Sequence, residues 1–104
     1  MPAHEKLGIQ FHYDDPESLG SKQTHRVRAM RGDEKVGHLS WDRKQVVNIE
    51  VNEPRQGIGT ALWHEGQRLA SENRRIPAPK HSAYRTNSGD AWAKSVGGPL
   101  PRRK

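Results

Sequence analysis

The sequence predicts a single α+β domain: a mixed, mostly antiparallel sheet, one long helix after its fourth strand and a short helix near the carboxyl end. Three observations predict it. Stretches before residue 52 alternate apolar and polar residues, turn-forming residues separate them at hairpin distance, and the period switches to a helical one from Gly57 onward. With 104 residues and 31% hydrophobic content, one thin core is available. Residues 1–98 read as the domain and residues 99–104 as a basic tail.

Leu7, Ile9, Phe11 and Tyr13 alternate with Gly8, Gln10 and His12, the signature of a first strand with one buried face. The polar segment Asp14 to Ser21, with Pro16 and Gly20, reads as a loop. Thr24 to Arg31 and Val36 to Trp41 form a hairpin about Gly32-Asp33, and a polar turn at Asp42-Arg43-Lys44 leads into Gln45 to Val51. In that fourth strand Val47, Ile49 and Val51 are expected on the core face, with Val46, Asn48 and Glu50 opposite.

The helix is expected from about Gly57 to about Asn73, with Ile58, Ala61, Leu62 and Leu69 on one face. Gly66 inside it predicts a close approach of backbone to backbone, because glycine there costs about 1 kcal/mol against alanine. Ile76-Pro77-Ala78-Pro79 permits only an edge strand or connector, and Lys80 to Tyr84 is expected as a short fifth strand. Thr86, Asn87 or Ser88 caps a last helix over Gly89 to Val96, which Gly97-Gly98-Pro99 ends.

Composition narrows the chemistry. Eighteen Lys+Arg against 12 Asp+Glu give a formal charge of +6, which favours an anionic partner: a phosphorylated cofactor, nucleic acid or an acidic protein surface. The absence of cysteine excludes disulfides, thiolate catalysis and Cys-based zinc sites. No apolar run is long enough to span a membrane and the opening Met-Pro-Ala-His-Glu-Lys is polar, so a cytoplasmic protein is expected. The six histidines show no HxxxH-type spacing, which argues against a metal site. Trp41, Trp63 and Trp92 each lie in a segment with its own apolar pattern and read as packing residues, against a partner or a second copy if not in the core.

The stretch Val51 to Trp63 carries the functional signal. A strand delivering into Gln56-Gly57-Ile58-Gly59-Thr60 places unpaired main-chain N–H groups at the positive end of a helix, where glycines allow a phosphate to approach and Arg55 stands alongside. The mononucleotide P-loop needs Lys and Ser/Thr after the last glycine, and the dinucleotide fingerprint needs a small residue where Leu62 stands; neither pattern is met.

The string Arg55-Gln56-Gly57-Ile58-Gly59-Thr60-Ala61-Leu62 after strand four resembles the coenzyme-binding motif of the GCN5-related N-acetyltransferases, over roughly Thr24 to Val96. The end Trp92 to Gly98 is similar to compact acetyltransferase-like proteins of actinobacteria and their phages. The resemblance implies that the amides of Gln56, Gly57, Ile58, Gly59 and Thr60, beside Arg55, hold the diphosphate of acetyl-coenzyme A, and that the backbone from Ile49 to Val51 lines its pantetheine arm. It further implies direct acetyl transfer to a primary amine, with Glu50 as a base through water. Three departures accompany it, the first being a connection from Val51 to Gly57 shorter than the family's, with Pro54 where a Gln or Arg would begin the motif. Asp14 to Gln23 is too short for the family's two helices between strands one and two, which implies an acceptor side that is truncated or supplied by a partner. Ala93 falls where the family has a tyrosine acid, leaving His81, Ser82 and Tyr84 as the groups of that region able to replace it. The alternatives are a non-catalytic scaffold of the same fold and a nucleic-acid-binding module using Arg26, Arg28, Arg31, Arg74, Arg75 and the basic tail.

Overall fold

In the computed structural model, residues 8–52, 57–83, 85 and 87–103 are described. The alternating segments form strands β1 (Gln10–Asp14), β2 (His25–Arg31), β3 (Glu34–Trp41) and β4 (Val46–Val51), followed by helices α1 (Ile58–Glu72) and α2 (Asn87–Val96). The strands make one four-stranded sheet in the order β1-β2-β3-β4, every pair antiparallel. Its hairpins follow from local chemistry: Gly32 turns with φ 63°, and the Asp42 carboxylate accepts the N–H groups of Lys44 (2.8 Å) and Gln45 (2.9 Å). Residues 15–24 form a loop of turns.

Two expectations are corrected. The sheet is not mixed, because no fifth strand forms among the described residues of 80–84. Pro77 and Pro79 lack N–H donors, so the segment returning from α1 cannot build a ladder beside β4; among the described residues a single main-chain bond, Val46 N–H to Lys80 O at 2.6 Å, joins them. The second correction lies in β4. Ser40 pairs with Asn48 but Trp41 pairs with Val46, so Val47 is the extra residue of a β-bulge. Val46 therefore turns inward, 9% exposed, while Val47 stands 55% exposed.

The core lies between one sheet face and α1. Val27, Leu39 and Trp41 from the strands meet Ile58 and Leu62 from the helix, all fully buried. Gly37 makes this contact possible: a Cβ there would stand 2.9 Å from the Glu50 carbonyl oxygen and 3.1 Å from Ile58 Cγ2. Gly66 has an analogous role, since a Cβ would sit 2.6 Å from the Pro79 ring; the close approach is to a proline side chain and not to backbone as expected.

The segment after α1 is held through carbonyls, the one hydrogen-bonding group that proline retains. Trp41 Nε1 donates to Pro77 O (2.6 Å), Gln67 Nε2 to Pro79 O (2.9 Å) and Val46 N to Lys80 O. These bonds fix where the chain passes β4 and enters α2. The tail also lies on the domain: Arg85 Nη2 donates to Pro101 O (2.9 Å) and Arg103 Nη2 to Arg85 O (3.0 Å).

Candidate functional site

A groove of about 290 Å³ opens where β4 and the returning segment part. Gln45 to Ile49 form one wall, His81, Ser82 and Arg85 the other, and Gly89 and Trp92 of α2 close it. Its origin is the sequence of β4 and its neighbour: one hydrogen bond at Val46, a bulge at Val47, and prolines that prevent the two chains from zipping together. The volume is at the small end of ordinary ligand sites.

Three aromatic rings shape one side. His81, 3% exposed, stacks on Trp63 with centroids 4.1 Å apart and planes 1° from parallel, and Trp92 meets both rings edge-on at 5.6 and 5.7 Å. His81 Nε2 is 2.7 Å from Gly97 O. A carbonyl only accepts, so Nε2 carries the hydrogen and Nδ1 of the neutral ring is left as an acceptor.

Trp92 also explains one of the two glycines of the turn. A Cβ on Gly59 would stand 3.0 Å from Trp92 Nε1 and 3.6 Å from Ile49 Cδ1, so Gly59 admits the indole, and the first turn of α1 abuts the groove through these two side chains. Trp92 Nε1 is buried without an acceptor among the described residues. Gly57, the residue before α1, has φ 80° in the left-handed region, and among the described residues nothing within 4 Å would meet a Cβ there. Its carbonyl accepts the Ala61 N–H (3.0 Å), while the N–H groups of Ile58, Gly59 and Thr60 precede the first helical bond; Gly57 has no side chain to cap them, and the first turn holds no acid.

The sequence-derived site residues divide accordingly. Ile49, His81 and Ser82 line the groove. Gly57, Gly59 and Thr60 form the turn, and Ile58 is turned into the core at 1% exposure. Val51 pairs with Gly37 at the end of β4, half-buried. Glu50 is not among the groove residues: it lies opposite His38, its Oε2 3.8 Å from His38 Nδ1, with its side chain 63% exposed. Burial, then the nearby Lys35, lowers the His38 pKa, and Glu50 only partly opposes them. Arg55, Gln56 and Tyr84 lie outside the described residues. Ala93 is fully buried, so no acid occupies its position.

Arg85 was not anticipated. Its guanidinium, 8% exposed, donates through Nε to Asp90 Oδ1 (3.0 Å), through Nη1 to Ser82 O and through Nη2 to Pro101 O. Asp90 is also approached by Lys94 (3.1 Å) and Arg103 (3.8 Å); hydrogen bonds from Lys94 and Arg85 hold its pKa below the usual carboxylate range. The available signal was the five-residue spacing of Arg85 and Asp90 across a helix start, too unspecific to act on.

Compared with known proteins, the chain matches no family model, no curated protein and no solved structure. Among the described residues no helix is long and apolar enough to cross a membrane. The groove and the turn beside it are therefore the grounds for a functional reading.

Proposed function

We propose that the protein is an acetyl-coenzyme A-dependent N-acetyltransferase-like domain that takes the coenzyme's pantetheine arm between β4 and the segment after Lys80. The observation that carries this reading is the groove itself: an unzipped edge of β4, beginning at the Val46–Lys80 bond and adjoining the first turn of α1 through Ile49 and Trp92. A strand edge facing a groove suits an arm built around amides, because main-chain donors and acceptors complete on the ligand the ladder that the prolines interrupt.

The residues present fit such a group. No described residue approaches a Cβ position on Gly57, the first-turn amides of Ile58 to Thr60 suit a diphosphate, and the Trp92 indole N–H, which has no acceptor among the described residues, lies beside Gly59. When bound, the coenzyme supplies an acyl group activated as a thioester. The chain supplies the proton acceptor: His81 lines the groove with Nε2–H fixed on Gly97, so Nδ1 is the nitrogen able to take a proton from an acceptor amine. Glu50, outside the groove lining, is less well placed for that role.

A second reading, a non-catalytic scaffold that keeps the fold, is favoured by the buried Ala93, which leaves no acid to protonate a departing thiolate at that position. Nucleic-acid binding has less support, since Arg26 and Arg28 both direct Nε to Asp14, at 3.0 and 2.8 Å.

Calorimetry with acetyl-coenzyme A, coenzyme A and ATP tests the proposal. Saturable binding specific to the coenzyme and abolished in Gly57→Glu is expected; no binding at millimolar concentration removes the reading. If acetylation is found, His81→Gln should reduce it at unchanged coenzyme affinity, and undiminished turnover would eliminate His81 as the base.

A further inference from the structure

The charge inside the groove narrows its ligand further. No acidic residue is among the described residues that line it, and Arg85 is the one lining side chain with a permanent charge. Asp90 is that arginine's ion-pair partner, but Asp90 also faces Lys94 and Arg103, so three cations share one carboxylate. Among the described residues, the groups around Asp90 and Arg85 carry more positive than negative charge.

The hydrogen-bond inventory points the same way. A guanidinium carries five N–H donors. Asp90 Oδ1, Ser82 O and Pro101 O take three of them, which leaves two without an acceptor among the described residues on a side chain only 8% exposed. Donors so enclosed are costly unless something accepts from them, and a groove opening onto the same side chain gives access. Elsewhere the lining is apolar at Val47, Ile49 and Trp92. An apolar wall beside a fixed guanidinium suits an amphipathic anion.

We propose that the groove selects ligands that carry a carboxylate, received by Arg85, with their apolar part against Ile49 and Trp92. Two sources would supply that carboxylate: the acyl group of the donor, as in a dicarboxylic acyl thioester, or the acceptor, as in an amino acid. The assignment of source rests on the coenzyme reading; the preference for an anion does not.

The test compares matched pairs on the wild-type protein by calorimetry and by ¹H–¹⁵N NMR: succinyl- against acetyl-coenzyme A, leucine against leucinamide in the presence of acetyl-coenzyme A, and N-acetylleucine against its amide alone. The member with the added carboxylate is expected to bind about tenfold more tightly or better, shifting the amides of Ser82 and Gly89 and the Arg85 Nε–H resonance. The first pair identifies the donor as the source, the second the acceptor. Discrimination by N-acetylleucine alone, with no coenzyme ester bound, keeps the anion site and ends the coenzyme reading. Coenzyme esters bound with equal affinity, and no preference in the other pairs, overturn the anion site and keep the coenzyme. If nothing binds, both fall. Arg85→Gln should abolish the preference; because that change leaves Asp90 with one partner fewer, the wild-type Nε–H shift decides the matter if the variant does not fold.

Discussion

Two glycines show how one residue type answers different physical demands. Gly66 is required for space: an alanine Cβ would lie 2.6 Å from the Pro79 ring, which α1 and the carbonyl bonds on either side hold in place. Overpacking of this kind costs about 1–3 kcal/mol, more than the roughly 1 kcal/mol alanine gains in helix propensity, so Gly66→Ala should lower stability in urea denaturation. An unchanged midpoint would mean that Pro79 yields freely. Gly57 is required for its dihedral angle, φ 80°, with open space around it. Gly57→Ala should cost about 1 kcal/mol without altering tryptophan fluorescence, whereas Gly59→Ala should alter the fluorescence of the indole it presses. Identical emission from both variants would disprove the Gly59–Trp92 contact.

At the scale of elements, the sheet carries a titration that its strands create. His25 on β2 and His38 on β3 are both buried. Burial lowers the pKa of each below 6.5; Arg43 adds to this at His25 against Asp15, and Lys35 at His38 against Glu50. Below pH 6.5 the unfolded chain therefore binds more protons than the folded one, and stability should fall as pH drops through that value. Urea midpoints at about pH 7.5 and about pH 5.5 measure the slope, which His25→Gln should flatten; a slope unaffected by substitution at either histidine would assign it to other groups.

The elements that could be read from the sequence were those whose signal is local. α1 falls within a residue of its expected bounds because helical spacing and the Gly57 turn coincide. The bulge at Val47 was hidden, since alternation of Val47, Ile49 and Val51 is undisturbed in sequence and only pairing with Trp41 reveals the slip. The groove was half legible: Ile49, His81 and Ser82 were named, but Arg85 owes its place to contacts with Asp90 and Pro101 that no periodicity encodes.

For the molecule as a whole, the sheet and the chain's last third are joined by a few directed bonds. Arg85 ties the returning segment, α2 and the tail together through Ser82 O, Asp90 and Pro101 O, and Arg103 reaches back to Arg85 O. Removal of residues 99–104 should therefore lower the melting temperature by about 4 °C or more, as expected for roughly 1 kcal/mol in a domain of this size. An unaltered melting curve would show that the tail contributes nothing to the fold. The same arrangement has a consequence for the order in which the molecule opens. β1 to β4 pair with sequence neighbours, while the segment from Pro77 onward is attached to them and to α1 through three carbonyls whose donors lie 12 or more residues away in sequence, and through the packing of Pro79, His81 and Trp92 on α1. Such an attachment can detach as a unit while the meander and α1 persist. In native-state hydrogen exchange, the Val46 amide, whose acceptor is Lys80 O, should exchange with the kinetics of that carboxyl-terminal unit and faster than the amides that β4 shares with β3.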